Sequence, residues 1–155
     1  MRLSENLKLS EMIASDTAKR KGIENYPENT AHIDNMRLLA ENVFQPIRDA
    51  FCVPIFVSSG YRSIALNIAL KGSSSTSQHM RGEAMDLDAD RFGVITNTQI
   101  FNFIKDSLDF DQLIWEYGND KEPDWVHVSY KSEGNRKEIL KVKRVNGKGV
   151  YSIYK

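Results

Sequence analysis

Apolar residues recur along this chain in two rhythms, and each predicts its own kind of element. Ile33, Met36, Leu39, Ala40, Val43 and Ile47 fall at steps of three and four, the spacing of one helix face turned to a core. Asn29 or Thr30 is placed to cap that helix. Pro46 lacks a backbone donor, so a kink or a fresh helical start is expected there. Residues 9–19 predict a shorter helix with Ser10 as its N-cap and Gly22 as its stop. Two further helices are expected over residues 64–70 and 97–108, the second with Ile100, Phe101 and Ile104 on one face. The other rhythm has a period of two. Met85, Asp86, Leu87 and Asp88 alternate, which puts both acids on one face of a short strand and both apolar residues on the other. Residues 53–58 predict a buried strand broken at Gly60, and residues 110–117 and 125–130 predict a hairpin across a polar loop. In the tail, Leu140, Lys141, Val142 and Lys143 alternate again, and Asn146-Gly147 favours a tight turn.

Together these elements predict one α+β domain over residues 1–155, a small antiparallel β-sheet with helices packed mainly on one side. Residues 1–8 read as an N-terminal extension and 131–155 as a basic C-terminal hairpin. At 155 residues the chain can bury a sizeable core. Its 21 basic and 21 acidic residues cancel, leaving no global field to attract nucleic acid. The tail departs from this balance, with eight Lys or Arg residues against two glutamates. These are read first as a solvated sheet face and second as a surface for anionic cell-wall polymers. The single cysteine, Cys52, excludes an internal disulfide framework and is read as a buried small apolar residue. No apolar run is long enough for membrane insertion, and the first residues do not form a secretory signal pattern. The chain is therefore expected to be cytoplasmic when synthesised, and to be a monomer.

Candidate chemistry centres on residues 77–88. His79 and Asp86, seven positions apart, are both ligands for a first-row divalent metal. A catalytic zinc site uses three protein ligands and keeps a fourth position open. The chain has only three histidines. Of the others, His127 interrupts the apolar strand-like run 125–130 and is the expected third ligand. One Zn2+ per chain, on His79, Asp86 and His127, is the reading. The loop over residues 71–78, polar throughout, leads into this centre.

The pattern Ser77-x-His79-x-x-Gly82-x-Ala84-x-Asp86-x-Asp88 resembles the signature of the zinc D-alanyl-D-alanine carboxypeptidase family. That family also holds vancomycin-resistance D,D-dipeptidases and phage L-alanyl-D-glutamate endolysins, and its fold is similar to the hedgehog zinc fold. Further stretches match in order: Leu9-Ser10-Glu11, Ser15-Asp16-Thr17-Ala18, Gln45-Pro46-Ile47-Arg48, Ser58-Ser59-Gly60-Tyr61-Arg62-Ser63, Leu66-Asn67, Phe110-Asp111-Gln112-Leu113-Ile114-Trp115-Glu116 and Trp125-Val126-His127-Val128-Ser129. The resemblance implies a zinc peptidase acting on peptidoglycan stem peptides. Removal of a terminal D-alanine is the first reading, with L-alanyl-D-glutamate endopeptidase activity, or a non-catalytic zinc-stabilised binding module, as alternatives.

It also implies residue roles. Arg62 would hold the substrate or its developing negative charge, and Ser77 would hydrogen-bond substrate. Two acids compete as general base. Asp124 stands three residues before His127, where the dipeptidases and endolysins carry their catalytic acid. Strand parity argues the other way: residues an odd number apart on a strand face opposite sides, so Asp124 reaches the metal of His127 only if Pro123-Asp124 is still loop. Glu116 reaches the metal if the register puts its face with His127 and Ser129. The expectation ranks Asp124 first and Glu116 second, and Asp88 is read as the partner of a ligand histidine's second ring nitrogen.

Overall fold

The computed structural model describes residues 1–71 and 73–155. Helices come first in the chain: α1 (Leu9–Met12), α2 (Asp16–Lys21), α3 (Thr30–Leu39) and α4 (Gln45–Phe51). The one helix expected over residues 9–19 is therefore two. Ser10 is not its cap; the Ser15 side chain accepts the Ala18 N–H at 3.1 Å and starts α2 afresh, a use that serine makes of its hydroxyl in preference to helix interiors. Gly22, at φ 64°, closes α2 as expected. Asn29 caps α3 through the Ala31 N–H at 2.9 Å. Between α3 and α4 lies a single π turn, Ala40–Phe44, in which the Gln45 N–H reaches back to the Ala40 carbonyl. Pro46 sits in the first turn of α4. The wide turn and the new start absorb the donor that proline lacks, so the apolar stripe continues unbroken into the core.

The chain then alternates: β1 (Phe56–Ser59), α5 (Ile64–Ala69), β2 (Ala84–Asp88), α6 (Asn97–Ser107), β3 (Gln112–Glu116), β4 (Trp125–Ser129), β5 (Glu138–Val145) and β6 (Lys148–Ile153). The strands form one open sheet in the order β1-β2-β4-β3-β5-β6. It is a mixed sheet, antiparallel except where β5 runs parallel to β3. The start of β1 is later than predicted, with Pro54 before it, a residue that cannot donate to a ladder. The tail hairpin is present, with Asn146 and Gly147 at positive φ in its turn.

Register sorts the two faces. Met85 lies opposite Val128, Leu87 opposite Val126, and Trp115 opposite Val126, and all of these are buried against the helices. Met36, Leu39, Val43, Phe44 and Ile47 from the α3–α4 stripe, and Ile100, Phe101 and Ile104 from α6, complete that core. Each such side chain stabilises the fold by about 1.5–3 kcal/mol. Residues 1–8, expected as an extension, join it: Leu3 and Leu7 are buried in the same cluster, and Asn6 exchanges two hydrogen bonds with Gln45. Their two leucines have the core's apolar surface to cover. Cys52, read as buried, is exposed at the left-handed end of α4. Among the described residues, no helix is long and apolar enough to cross a membrane.

Candidate metal centre and cleft

The other face of the sheet carries the polar residues. Asp86 on β2 lies directly opposite His127 on β4, and His127 opposite Ile114 on β3, so Asp86 and His127 project to the same side from adjacent strands. His79 comes from a 3₁₀ turn, Gln78–Arg81, closed by Gly82 at φ 71°. A Cβ on Gly82 would collide with the His32 carbonyl. Only glycine lets the turn sit this close to α3 while bending back to β2.

Three donor atoms meet here. His127 Nδ1 is 2.9 Å from Asp86 Oδ1, His79 Nε2 is 3.4 Å from the same oxygen, and the two nitrogens are 3.3 Å apart. All three residues are buried, and their ligand atoms lie within 4.8 Å of one another. The other atom of two of these groups is already engaged. His79 Nδ1 donates to the Gly60 carbonyl at 2.7 Å, which leaves the Nε2 lone pair aimed at the cluster. Asp86 Oδ2 accepts from Arg62 Nη2 at 3.3 Å, leaving Oδ1 for the centre. Two imidazoles and one carboxylate so directed are a donor set that a single zinc ion would fit.

The electrostatics agree. Burial alone would raise the Asp86 carboxyl, but the hydrogen bonds and charges of His79 and His127 hold it below the usual carboxylate range. Burial pushes His79 below the ordinary imidazole value even against the Asp86 charge, favouring the neutral, ligating form. Beside them Glu116, 8% exposed, is pushed up to about 7, first by burial and then by the Asp86 charge. A carboxyl poised there can both take and give a proton near neutral pH.

These groups lie on a cleft of about 860 Å³ whose walls include Arg62, Ser77, Glu116, Trp125 and Tyr151. Arg62 is aimed by a β-bulge: the register of β1 on β2 slips between Val57 and Ser59, so Ser59 pairs with Asp86, and Ser59 Oγ accepts from both Arg62 Nε and Nη2. Ser77 makes no side-chain capping bond to the turn it precedes. The loop leading to it was read as one stretch; Gly72 within it lies outside the described residues.

Two expected residues are not brought to the centre. Asp124 is exposed and does not line the cleft. Its N–H already donates to the Glu116 carbonyl at 2.9 Å and its own carbonyl accepts from Asn97 Nδ2 at 3.0 Å. Asp124 sits in a bend just before β4 begins at Trp125, and its charge adds to that of Asp88 and Glu122 around Asp90. Glu116 shares the His127 face because it pairs with Trp125, two residues from His127. Nor does Asp88 serve a ligand histidine. Its Oδ1 accepts from the Asp90 N–H and Asn97 Nδ2, while the Gly60 carbonyl takes the ring proton instead.

Sequence reasoning passed over three contributors. Gly60 acts through its backbone, for which no residue type is a signal. Asn97, fully buried, ties the Ala89 N–H to the Pro123 and Asp124 carbonyls; its place at the start of a helix concealed it. Tyr151 reaches the cleft from β6, and its phenol is raised by burial and then by the Glu116 charge.

Residues 5–129 match the model of the family Peptidase M15. No curated protein sequence matches the chain.

Proposed function

We propose that this chain, which belongs to the M15 peptidase family, is a zinc-dependent peptidoglycan peptidase that removes a terminal D-alanine from stem peptides. The observation that carries the reading is the convergence of His79 Nε2, Asp86 Oδ1 and His127 Nδ1 on one point of a cleft beside a carboxyl poised near neutrality. Zinc held by these three residues would supply a Lewis acid that brings the pKa of water towards about 7 and polarises the scissile carbonyl.

The protein's own residues supply the rest. Glu116 is the general base: it accepts a proton from the attacking water and, once protonated, delivers it to the departing amine. Its elevated pKa suits both halves of that cycle. Asp124, exposed on the other side, has no part in it. Arg62 presents a guanidinium at the edge of the centre, where it binds the substrate's terminal carboxylate or the oxyanion that forms as water adds. Ser77 offers a hydroxyl to the peptide backbone. Gly60 keeps His79 in one tautomer throughout.

Zinc content by elemental analysis, on wild type and His79→Ala, alongside hydrolysis of two synthetic stem peptides, tests the reading. One zinc per chain is expected, lost with the histidine together with release of D-alanine from a D-alanyl-D-alanine end. Cleavage of the L-alanyl-D-glutamate bond instead would make the enzyme an endopeptidase. Zinc bound with neither bond cut would leave a binding module.

A further inference from the structure

The cleft runs along β3, and its two ends differ in chemistry. At one end stand Glu116, Trp125 and Tyr151. At the other, just before β3 begins, Asp111 is buried to 1% exposure and gathers charge around itself. Arg136 donates to it through Nε at 3.0 Å and Nη2 at 2.8 Å, its backbone N–H adds a third bond at 3.2 Å, and Lys131 Nζ lies 3.2 Å away. Gln78, next to the ligand His79, also donates to Asp111 at 3.1 Å. These residues all line the cleft.

Asp111 organises this end. Burial works against its charge, but the Arg136 and Lys131 hydrogen bonds pull the carboxyl down to about 2, so it remains ionised under all ordinary conditions. One buried negative charge thus holds two positive ones. Arg136 spends Nε and Nη2 on it, and its Nη1 keeps only a loose 3.7 Å contact to Glu138, whose Oε2 is already taken by Gln112 at 2.6 Å. The Arg136 side chain is 53% exposed and that of Lys131 30%. A guanidinium held from behind, with its outer nitrogen in only that loose contact, is preorganised for a carboxylate, because little rotamer freedom is left to lose on binding. Lys71 lines the cleft as well. Both Lys131 and Arg136 lie beyond the residues that match the family model.

The spacing gives the ligand its shape. From Ile114, level with His127 and Asp86, back past the start of β3 at Gln112 to the bend at Asp111 is three residues, a span of at most about 10 Å. A peptide laid along the same strand covers that distance in about three residues.

We propose that Arg136 and Lys131, held by Asp111, form an anion subsite for a carboxylate that the substrate peptide carries about three residues from the bond to be cut. The inference rests on the peptidase reading and narrows it to an acidic peptide. In a stem peptide ending in D-alanyl-D-alanine, the free α-carboxylate of the γ-linked D-glutamate stands at that separation.

The test uses the zinc-loaded full chain and two peptides, L-alanyl-γ-D-glutamyl-L-lysyl-D-alanyl-D-alanine and its D-isoglutamine counterpart, in which that carboxylate is an amide. Binding is measured by calorimetry and cleavage by D-alanine release. Wild type is expected to bind the acid at least tenfold more tightly than the amide, with the preference shrinking as salt rises. Arg136→Gln should abolish the preference by weakening the acid alone, acting on KM rather than kcat, and Arg136→Lys should restore part of it. Lys131→Gln, which leaves the Arg136–Asp111 bonds in place, should reduce the preference on its own. Equal binding of acid and amide by wild type, or a loss in Arg136→Gln that is the same for both, would overturn the subsite while leaving a peptidase that cleaves them. A preference for the acid without cleavage of either would uphold the subsite and refute the peptidase; binding of neither would overturn the subsite.

Discussion

The two faces of the β2–β4–β3 layer are built from the same three strands, one residue out of phase. On one face Met85, Leu87, Leu113, Trp115, Val126 and Val128 close the core. On the other, Asp86, His127 and Glu116 open on the cleft. Each core residue is the chain neighbour of a polar one, so the backbone that fixes the ligands is itself fixed by apolar packing from behind. A buried charge is costly unless its partners are fixed. The helix-backed face provides that fixity, and the comparison predicts that stability and chemistry can be damaged separately.

The widest separation is expected at Glu116. Glu116→Gln removes the proposed proton acceptor but keeps the shape, so kcat should fall by about 10²–10⁴-fold while zinc content stays at the wild-type value. Loss of zinc in that variant would show that the two faces are not independent. On the opposite side, Leu87→Ala leaves a cavity one residue from Asp86 and should cost about 2–5 kcal/mol in denaturant unfolding, with turnover per folded molecule nearly unchanged.

A smaller effect is tied to pH. In metal-free protein the Glu116 carboxyl titrates near 7, against an ordinary value of 4.5, so the folded state holds its proton more tightly than the unfolded state. Its contribution to stability is complete below about 4.5 and is lost as pH rises through about 7, a loss on the order of 3 kcal/mol. His79, whose value is lowered first by burial, contributes with the opposite sign, its share of stability growing as pH rises. The difference between wild type and Glu116→Gln isolates the glutamate. Thermal unfolding of the metal-free pair from pH 4 to 8 should show wild type losing ground to the variant as pH rises, and parallel curves would refute the assignment. The smallest change belongs to Asp124→Asn, expected to leave D-alanine release within about twofold and stability within about 0.5 kcal/mol. A hundredfold loss there would return Asp124 to the role of base.

Much of this was legible in the sequence, because period-two alternation and ligand chemistry are local. Asp86 and His127 announced their shared role by residue type, whereas the shared face of Glu116 and His127 waited on the β3–β4 register. The preference for Asp124 came from resemblance. The structure leaves Asp124 exposed in a bend before β4 and off the cleft, on hydrogen bonds to Glu116 and Asn97 that no local pattern announces. What stayed hidden depends on distant partners. That β5 runs parallel to β3 follows from residues 130–137 passing the start of β3 and binding there, with the Lys137 N–H on the Phe110 carbonyl and Arg136 on Asp111. No tail pattern specifies that path. The break between α1 and α2 turned on which of two serines served as cap, and the tautomer of His79 on a backbone carbonyl.

Gly60 shows how far the centre reaches. A Cβ there would strike the Met12 carbonyl, and the next amide, of Tyr61, donates to that same carbonyl at 2.7 Å, while the Gly60 carbonyl holds His79. One peptide segment is wedged between the first helix and His79, one of the three clustered donors. The chain must close loops from residue 12 to 61, 60 to 79 and 79 to 127 before the donor set exists, and closures of that length are slow to form and are rewarded only together. The cluster of donor atoms is thus expected to be complete only late in folding, and a half-folded chain would lack it.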